Sequence, residues 1–129
     1  MPYIGLTVAA EPSAELTQRT VEALTDLTVT LLRKERSVTT VVVQYVSPAT
    51  WARGGVTGSR RFFVDAKITA GTNSRQEKAR YIREVHQGLA RVLGEPAAGY
   101  VAVTEIPADS WGHGGETQEI RYVREAAAA

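Results

Sequence analysis

The segment Ser110-Trp111-Gly112-His113-Gly114-Gly115 repeats an earlier one, Thr50-Trp51-Ala52-Arg53-Gly54-Gly55, at a spacing of sixty residues. Each segment places one tryptophan three residues before a pair of glycines. The strand-like runs that precede the two segments, 41–46 and 101–106, align at the same spacing. Agreement over so many positions indicates that the chain contains two copies of one structural unit.

Each copy is predicted to fold as strand, helix, strand. The first strands are 3–8 and 63–68, which align with one another. Apolar residues then recur at the spacing of an amphipathic helix. The aligned positions are Val21, Leu24, Thr28, Leu31 and Leu32 in the first copy and Ile82, Val85, Leu89, Val92 and Leu93 in the second. Ser13 and Asn73-Ser74 are predicted N-cap regions, and Gly94-Glu95-Pro96 is predicted to end the second helix.

A strand, a crossover helix and a parallel strand form a right-handed βαβ unit with its helix on one sheet face. The fold class predicted is therefore α/β (α+β), with tandem βαβ repeats in a four-stranded mixed sheet and two helices on one face. A single domain is expected over 1–129, with repeat 1 at 2–52, a linker at 53–61 and repeat 2 at 62–123.

The other face of this sheet has no helix to cover it. Strand alternation places the following residues there: Tyr3, Gly5, Thr7, Phe63, Asp65, Lys67 and Thr69. This face carries apolar as well as polar side chains, and its apolar part is stabilised by burial. The chain is therefore expected to form a symmetric oligomer that buries this face.

The amino-acid composition argues against nucleic acid, metal ions and membranes as partners of this chain. The 129 residues carry 15 basic and 14 acidic side chains, for a net charge of +1, so no basic field for nucleic acid is predicted. The absence of cysteine excludes disulfides and thiolate chemistry, and two separate histidines give no metal-ligand pattern. No apolar run reaches the length of a membrane span, and no signal peptide is recognisable. A cytoplasmic protein with a small-molecule partner is expected.

Pro2 is the first candidate catalytic residue, because it directly precedes a predicted strand. Removal of the initiator Met1 would turn Pro2 into a secondary amine held at the edge of the domain. Desolvation favours the neutral form of such an amine and lowers its pKa, which suits it for moving protons near neutral pH. The alternative is that Pro2 merely follows the start codon.

With Pro2 leading a duplicated βαβ unit, the chain resembles the tautomerase superfamily, and specifically the 4-oxalocrotonate tautomerase (4-OT) group in a fused, double-length form. Its most specific stretch is 103–116, which is similar to the strand, turn and aromatic-Gly-x-Gly-Gly segment of that group; 82–85 is similar as well. The resemblance implies cofactor-independent keto-enol tautomerisation of a small carbonyl acid, with an N-terminal proline as general base and acid. It also implies a homotrimer, since fused chains of this group form trimers.

Carried over by position, the resemblance makes Pro2 the catalytic residue and implies that the end of the second repeat's first strand lies beside it. Thr69 and Thr72 stand where relatives usually have two arginines, so Lys67 or Arg75 is expected to supply the positive charge. The substrate-binding residues implied are Lys67, Asn73, Arg75, Tyr100 and Trp111, with no metal ligand among them.

Trp111 corresponds to an aromatic wall that keeps the site dry, and Tyr100 stands where short tautomerases carry a substrate-binding arginine. Since a phenol carries no charge at neutral pH, a monoacid or neutral carbonyl compound is favoured over a dicarboxylate. The equivalent site of the first repeat has Trp51 but places internal Phe62 where an amine is required. That second site is expected to be catalytically inactive. His113 has a place in the loop from which it can reach the pocket.

Two alternatives stay open. A decarboxylase or dehalogenase of the same superfamily would use the same Pro2, although Thr28 and Ala102 replace the histidine and tyrosine of one dehalogenase group. A non-catalytic, small-ligand-binding trimer would keep the proline start as inherited architecture.

Overall fold

A computed structural model describes residues 1–94 and 97–128. The strands are β1 (Tyr3–Ala9), β2 (Thr40–Val46), β3 (Arg61–Thr69), β4 (Ala98–Ile106), β5 (Gly112–His113) and β6 (Glu116–Thr117). The helices are α1 (Ala14–Leu32), α2 (Arg75–Leu93) and α3 (Gln118–Ala128), with 3₁₀ turns at Arg36–Val38 and Pro48–Thr50. Both expected βαβ units are present, since β1, α1 and β2 make one and β3, α2 and β4 make the other.

The two units join into one four-stranded sheet with the order β2-β1-β3-β4. Strand β1 runs parallel to β2 and antiparallel to β3, while β3 runs parallel to β4. Tyr3 at the start of β1 therefore sits between Thr40 at the start of β2 and Lys67 near the end of β3. This mixed sheet confirms the predicted fold class.

The core lies between the sheet and helices α1 and α2. One face of the central strands is fully or almost fully buried, through Ile4, Leu6, Val8, Phe62, Val64, Ala66 and Ile68. Ser13 and Ser74 cap α1 and α2 as expected: the side chain of Ser13 accepts from Leu16 N, and Ser74 forms a capping box with Glu77. Gly94 follows the last residue of α2 with a φ of 87°, whereas Glu95 and Pro96 lie outside the described residues.

The buried stripe differs from the predicted one at one position in α1 and at two in α2, where Ala90 is buried and Val92 is only half-buried. Thr20 and Tyr81 are buried, whereas Val21 is half-buried and Ile82 is exposed. The hydroxyls of Tyr81 and Thr28 lie 2.9 Å apart, and Thr28 also donates to the carbonyl of Leu24 at 2.7 Å. These hydrogen bonds allow Tyr81 and Thr28 to be buried in the core. The spacing of apolar residues in the sequence does not reveal such bonds.

The repeated glycine pairs form matching turns. Gly54 and Gly55 have φ of 58° and 77°, and Gly114 and Gly115 have φ of 64° and 85°. Positive φ at two successive residues is the geometry of a tight hairpin turn, which glycine adopts without strain. The second turn closes the small β5–β6 hairpin, and α3 follows it directly. Helix α3 was not part of the predicted fold.

Aromatic side chains remain on the sheet face that carries no helix. Tyr3 is 41% exposed and Phe63 is 39% exposed, and the Phe63 ring centroid lies 6.0 Å from that of Tyr100. Thr69 departs from the expectation of an exposed face, because it is buried at 3% exposure.

Candidate active site

Pro2 is buried at the N-terminal end of β1 and lies in the wall of a cavity. The amide of Thr40 donates to the Pro2 carbonyl oxygen at 3.1 Å, which fixes the chain start against β2. The cavity has a volume of about 550 Å³, which suits a small organic acid. Its wall consists of Met1, Pro2, Tyr3, Ser37, Val38, Thr40, Lys67, Trp111, Gly112, His113 and Arg121.

Trp111 forms part of the wall of this cavity. None of the described residues that line the cavity is acidic. Its indole Nε1 donates to Thr69 Oγ1 at 3.1 Å, and its carbonyl accepts from the amide of Gln118 at 3.0 Å. These bonds explain the burial of Thr69 and hold the ring in one orientation. Thr69 acts on Trp111 and does not itself line the cavity.

The amine at the start of the chain lies in a positive, partly desolvated environment. The pKa of the Met1 α-amino group is lowered, first by burial and then by the positive charges of Lys34 and Arg121. Lys34 Nζ donates to Thr72 Oγ1 at 2.9 Å, and the pKa of Lys34 is itself lowered, chiefly by burial. The local field therefore favours a neutral amine at this end of the sheet.

The charge of Lys67 is compensated by a neighbour on its own strand. Lys67 forms an ion pair with Asp65, and Thr104 donates to the same carboxylate at 2.6 Å. Burial alone would raise the pKa of Asp65, but the hydrogen bonds from Lys67 and Thr104 outweigh it and lower that pKa. Lys67 thus offers ammonium hydrogens to the cavity with little net charge.

Arg121 supplies a further cation. It comes from α3, is half-buried, and forms no close ion pair with another described residue, although its charge helps to lower the pKa of Glu116. Helix α3 reaches this place because the β5–β6 hairpin reverses the chain beside Trp111. The amide of Glu119 donates to the carbonyl of Ala108 at 2.9 Å, which fastens the start of the helix to the preceding turn.

The comparisons with known proteins agree with this arrangement. The family model described as "Tautomerase enzyme" matches residues 63–120. Among solved structures, a fused 4-OT symmetric trimer superimposes with a TM-score of 0.83 and 18% identity, over 91% of this chain and 96% of that one. Residues 63–120 are therefore tautomerase-like in sequence, and the whole chain has the fold of a fused 4-OT.

Two further structures show how widely this fold is shared. FG41 malonate semialdehyde decarboxylase inhibited by 3-bromopropiolate has a TM-score of 0.75 and 18% identity, with 98% of each chain covered. A macrophage migration inhibitory factor-like protein from Entamoeba histolytica has a TM-score of 0.76 and 18% identity, covering 90% of this chain and 97% of its own. No curated protein sequence matches the tautomerase-like chain.

Of the predicted site residues, the structure of the tautomerase-like protein brings together Pro2, Lys67 and Trp111. Asn73 and Arg75 do not line the cavity. The Asn73 amide donates to the Leu32 carbonyl at 3.0 Å and so ties the start of α2 to the end of α1. Arg75 is exposed at the first position of α2.

Tyr100 lies away from Pro2 within the same chain. It lines the smaller cavity beside Trp51 and Phe62, which is the equivalent site of the first repeat. The reason is the register of the sheet: Tyr100 pairs with Phe63 at the start of β3, whereas Pro2 lies beside the end of that strand.

Sequence reasoning missed Arg121 and Lys34. A helical signal existed for the first, since Thr117 is an N-cap type residue and the chain ends in alanines, the residue with the highest helix propensity. Thr117 Oγ1 indeed accepts from the amide of Ile120 at 3.1 Å. No local signal connects either cation with Pro2, because their approach depends on how separate elements pack.

Within residues 1–94 and 97–128, no helix combines the length and apolar character needed to cross a membrane. The same residues contain no cluster of three or more potential metal ligands among histidine and the carboxylates.

Proposed function

We propose that this protein is a cofactor-independent tautomerase that transfers a proton between the keto and enol forms of a small carbonyl acid, with Pro2 as general base and acid. The observation that carries this proposal is the cavity in which Pro2 meets the Trp111 wall and the Arg121 cation. Tautomerase-like architecture supports it as well.

Pro2 acts only once its nitrogen is an amine. While Met1 is attached, that nitrogen belongs to an amide and is not basic. Removal of Met1 gives a secondary amine under the influence of the same burial and the same cations, Lys34 and Arg121, that lower the pKa of the Met1 amine. A neutral amine at working pH is the form that accepts a proton.

The reaction moves one proton and requires no redox partner. The Pro2 nitrogen forms a bond to an α-hydrogen, the C–H bond breaks, and its electron pair passes to the carbonyl oxygen as an enolate. Arg121 and the Lys67 ammonium stabilise the negative charge on the substrate. The protonated Pro2 then returns its proton to the enolate oxygen, which gives the enol, and ketonisation is the reverse sequence; Trp111 keeps water away from the exchange.

The test compares the Met1-free wild type with Pro2→Ala, in which the amine is primary and no longer fixed by a ring. Ketonisation of phenylenolpyruvate and 2-hydroxymuconate is followed by ultraviolet absorbance, and intact mass verifies that Met1 is absent from both proteins. Loss of activity in Pro2→Ala, with the oligomer unchanged, supports the proposal. Equal or absent activity in both correctly processed proteins refutes it and favours a non-catalytic ligand-binding protein.

Decarboxylation is the second candidate, and the unpaired Arg121 favours it because a guanidinium there can hold a carboxylate during its loss as CO₂. That reaction places the same enolate charge on the carbonyl oxygen. Faster turnover of a β-keto acid than of either enol would select it. Dehalogenation has weaker support, since buried Thr28 bonds Tyr81 in the core rather than facing the cavity.

We also propose that the protein is a homotrimer. Tyr3 and Phe63 leave an aromatic surface on the sheet face without helices, and burial of such a surface favours association. The structural relatives include fused 4-OT trimers. Sedimentation equilibrium would give three times the chain mass.

A further inference from the structure

The smaller cavity, about 260 Å³ in volume, lies at the place in the second repeat where the Pro2 cavity lies in the first. The internal repeat matches Trp51 with Trp111 and Phe62 with Pro2. The side chains that give this cavity its chemistry are Trp51, Arg53, Arg61, Phe62, His86 and Tyr100. Since Phe62 has no group that titrates, the cavity lacks a base at the position equivalent to the amine.

The lining of this cavity is positive. Among the described residues that line it are two guanidinium groups, on Arg53 and Arg61, and no carboxylate. Neither arginine is ion-paired within the described part of the chain, and the Nε atom of Arg61 is shielded from solvent without a hydrogen-bond partner. A shielded hydrogen-bond donor without an acceptor is destabilising. A ligand that brings an oxygen acceptor to Arg61 Nε therefore removes this cost and binds more tightly.

One wall of the cavity is formed by two aromatic rings inclined at 53° to one another. The ring centroids of Phe62 and His86 lie 5.2 Å apart, and His86 Nε2 accepts from the Gly99 amide at 3.4 Å. A Cβ atom at Gly99 would lie 1.9 Å from the Phe62 carbonyl oxygen, so the strands approach here as closely as glycine allows. Trp51 and the exposed Tyr100 add aromatic surfaces at the opening.

We propose that this cavity binds a small, flat carboxylate without transforming it, with the carboxylate on Arg61 and Arg53 and the flat part against Trp51 and Tyr100. The guanidinium fork matches two carboxylate oxygens, and aromatic surfaces favour a planar ligand. This second anion site is independent of the reaction proposed at Pro2.

Benzoate is the probe, and the two tryptophans allow each cavity to be read separately. In a Trp111→Phe background, Trp51 is the sole tryptophan and its fluorescence reports on the second cavity. We expect a saturable change with benzoate and none with the neutral analogue benzamide. Arg61→Gln should weaken benzoate binding by about tenfold or more, because a charge-assisted contact is lost. Arg19→Gln, on the exposed side of α1, makes the same change in net charge and should leave it unchanged.

The outcomes decide the proposal in either direction. A fluorescence change that benzamide reproduces, or that Arg61→Gln leaves intact, refutes carboxylate recognition. The absence of any saturable change also refutes it and indicates that another protomer fills the cavity. Should Arg61→Gln fail to fold by circular dichroism, Arg53→Gln at the exposed hairpin decides instead. Binding in a Pro2→Ala chain separates this result from the fate of the catalytic proposal.

Discussion

Replacement of Arg121 by glutamine tests the assignment of the cation that sequence analysis did not find. Arg121 lines the Pro2 cavity without a carboxylate partner, so its hydrogen bonds are available to the substrate. A hydrogen bond to a charged group contributes about 1.5–3 kcal/mol, and each 1.36 kcal/mol of barrier is tenfold in rate. Arg121→Gln should therefore lower kcat/KM for ketonisation of phenylenolpyruvate by about 10- to 150-fold.

The pH profile gives a second readout of the same substitution. The positive charge of Arg121 lowers the pKa of the Met1 amine, and we expect the same effect on the Pro2 amine that forms when Met1 is removed, so Arg121→Gln should raise the pKa of the Pro2 amine. The neutral base then predominates only at higher pH, so the acidic limb of the kcat/KM profile should move upward. A residue that merely supported the fold would not move that limb.

Arg124→Gln is the matched control, because it lies one turn further along α3 and makes the same charge change. Arg124 pairs with Glu116 at 2.6 Å, and its side chain is mostly exposed. We expect kcat/KM and the pH profile of this variant to equal those of the wild type. The reasoning fails if Arg121→Gln keeps wild-type kcat/KM, or if both variants lose activity equally.

Three further predictions concern packing and acid stability. Gly99→Ala brings a Cβ to 1.9 Å from a backbone oxygen and should lower the free energy of unfolding, measured in urea, by about 3 kcal/mol or more. The control is Gly88→Ala in α2, where the nearest atom lies 3.5 Å from the new Cβ, and this change should be neutral or stabilise by up to about 1 kcal/mol. Equal effects of the two substitutions would contradict this reasoning. Thr69→Val removes the acceptor for Trp111 and should cost about 1 kcal/mol, with a lower kcat/KM; an unchanged melting temperature and rate would show that the bond is unimportant. Glu77 has its pKa lowered to about 2, chiefly by a hydrogen bond from an arginine of the α1 C-terminus, so its stabilisation is complete above its ordinary pKa of 4.5 and is lost as pH falls toward 2. Glu77→Gln should flatten the loss of stability across that window, and an unaltered acid profile by circular dichroism would refute the assignment.

Most of the fold was predictable because its signals are local or repeated. The internal repeat, with its matching glycine pairs, identified the four main strands, and serines marked the starts of α1 and α2. The buried stripe of the helices was displaced at Thr20 and Tyr81, since a hydroxyl that finds a partner in the core is compatible with burial. Helix α3 was missed because its apolar pattern is short and its capping signal stands alone.

Some residues of the candidate site were likewise predictable from the sequence, and others were not. Pro2, Lys67 and Trp111 share one cavity, and all three were singled out from the sequence. Tyr100 was placed with them by position in the resemblance, yet within one chain it lines the opposite cavity. Within one chain the register of the sheet decides this, because Tyr100 pairs with the start of β3 and Pro2 lies beside its end.

The sequence by itself determined that the chain is duplicated, that Pro2 directly precedes a strand, and that each half forms a βαβ unit. These properties depend on residue type and spacing along the chain. Only the tertiary structure decided which charges surround the first amine. Arg121 and Lys34 reach it because α3 folds back after the β5–β6 hairpin and α1 ends beside the start of β1. Electrostatic effects depend on distances in space, and distances between remote segments are fixed by packing.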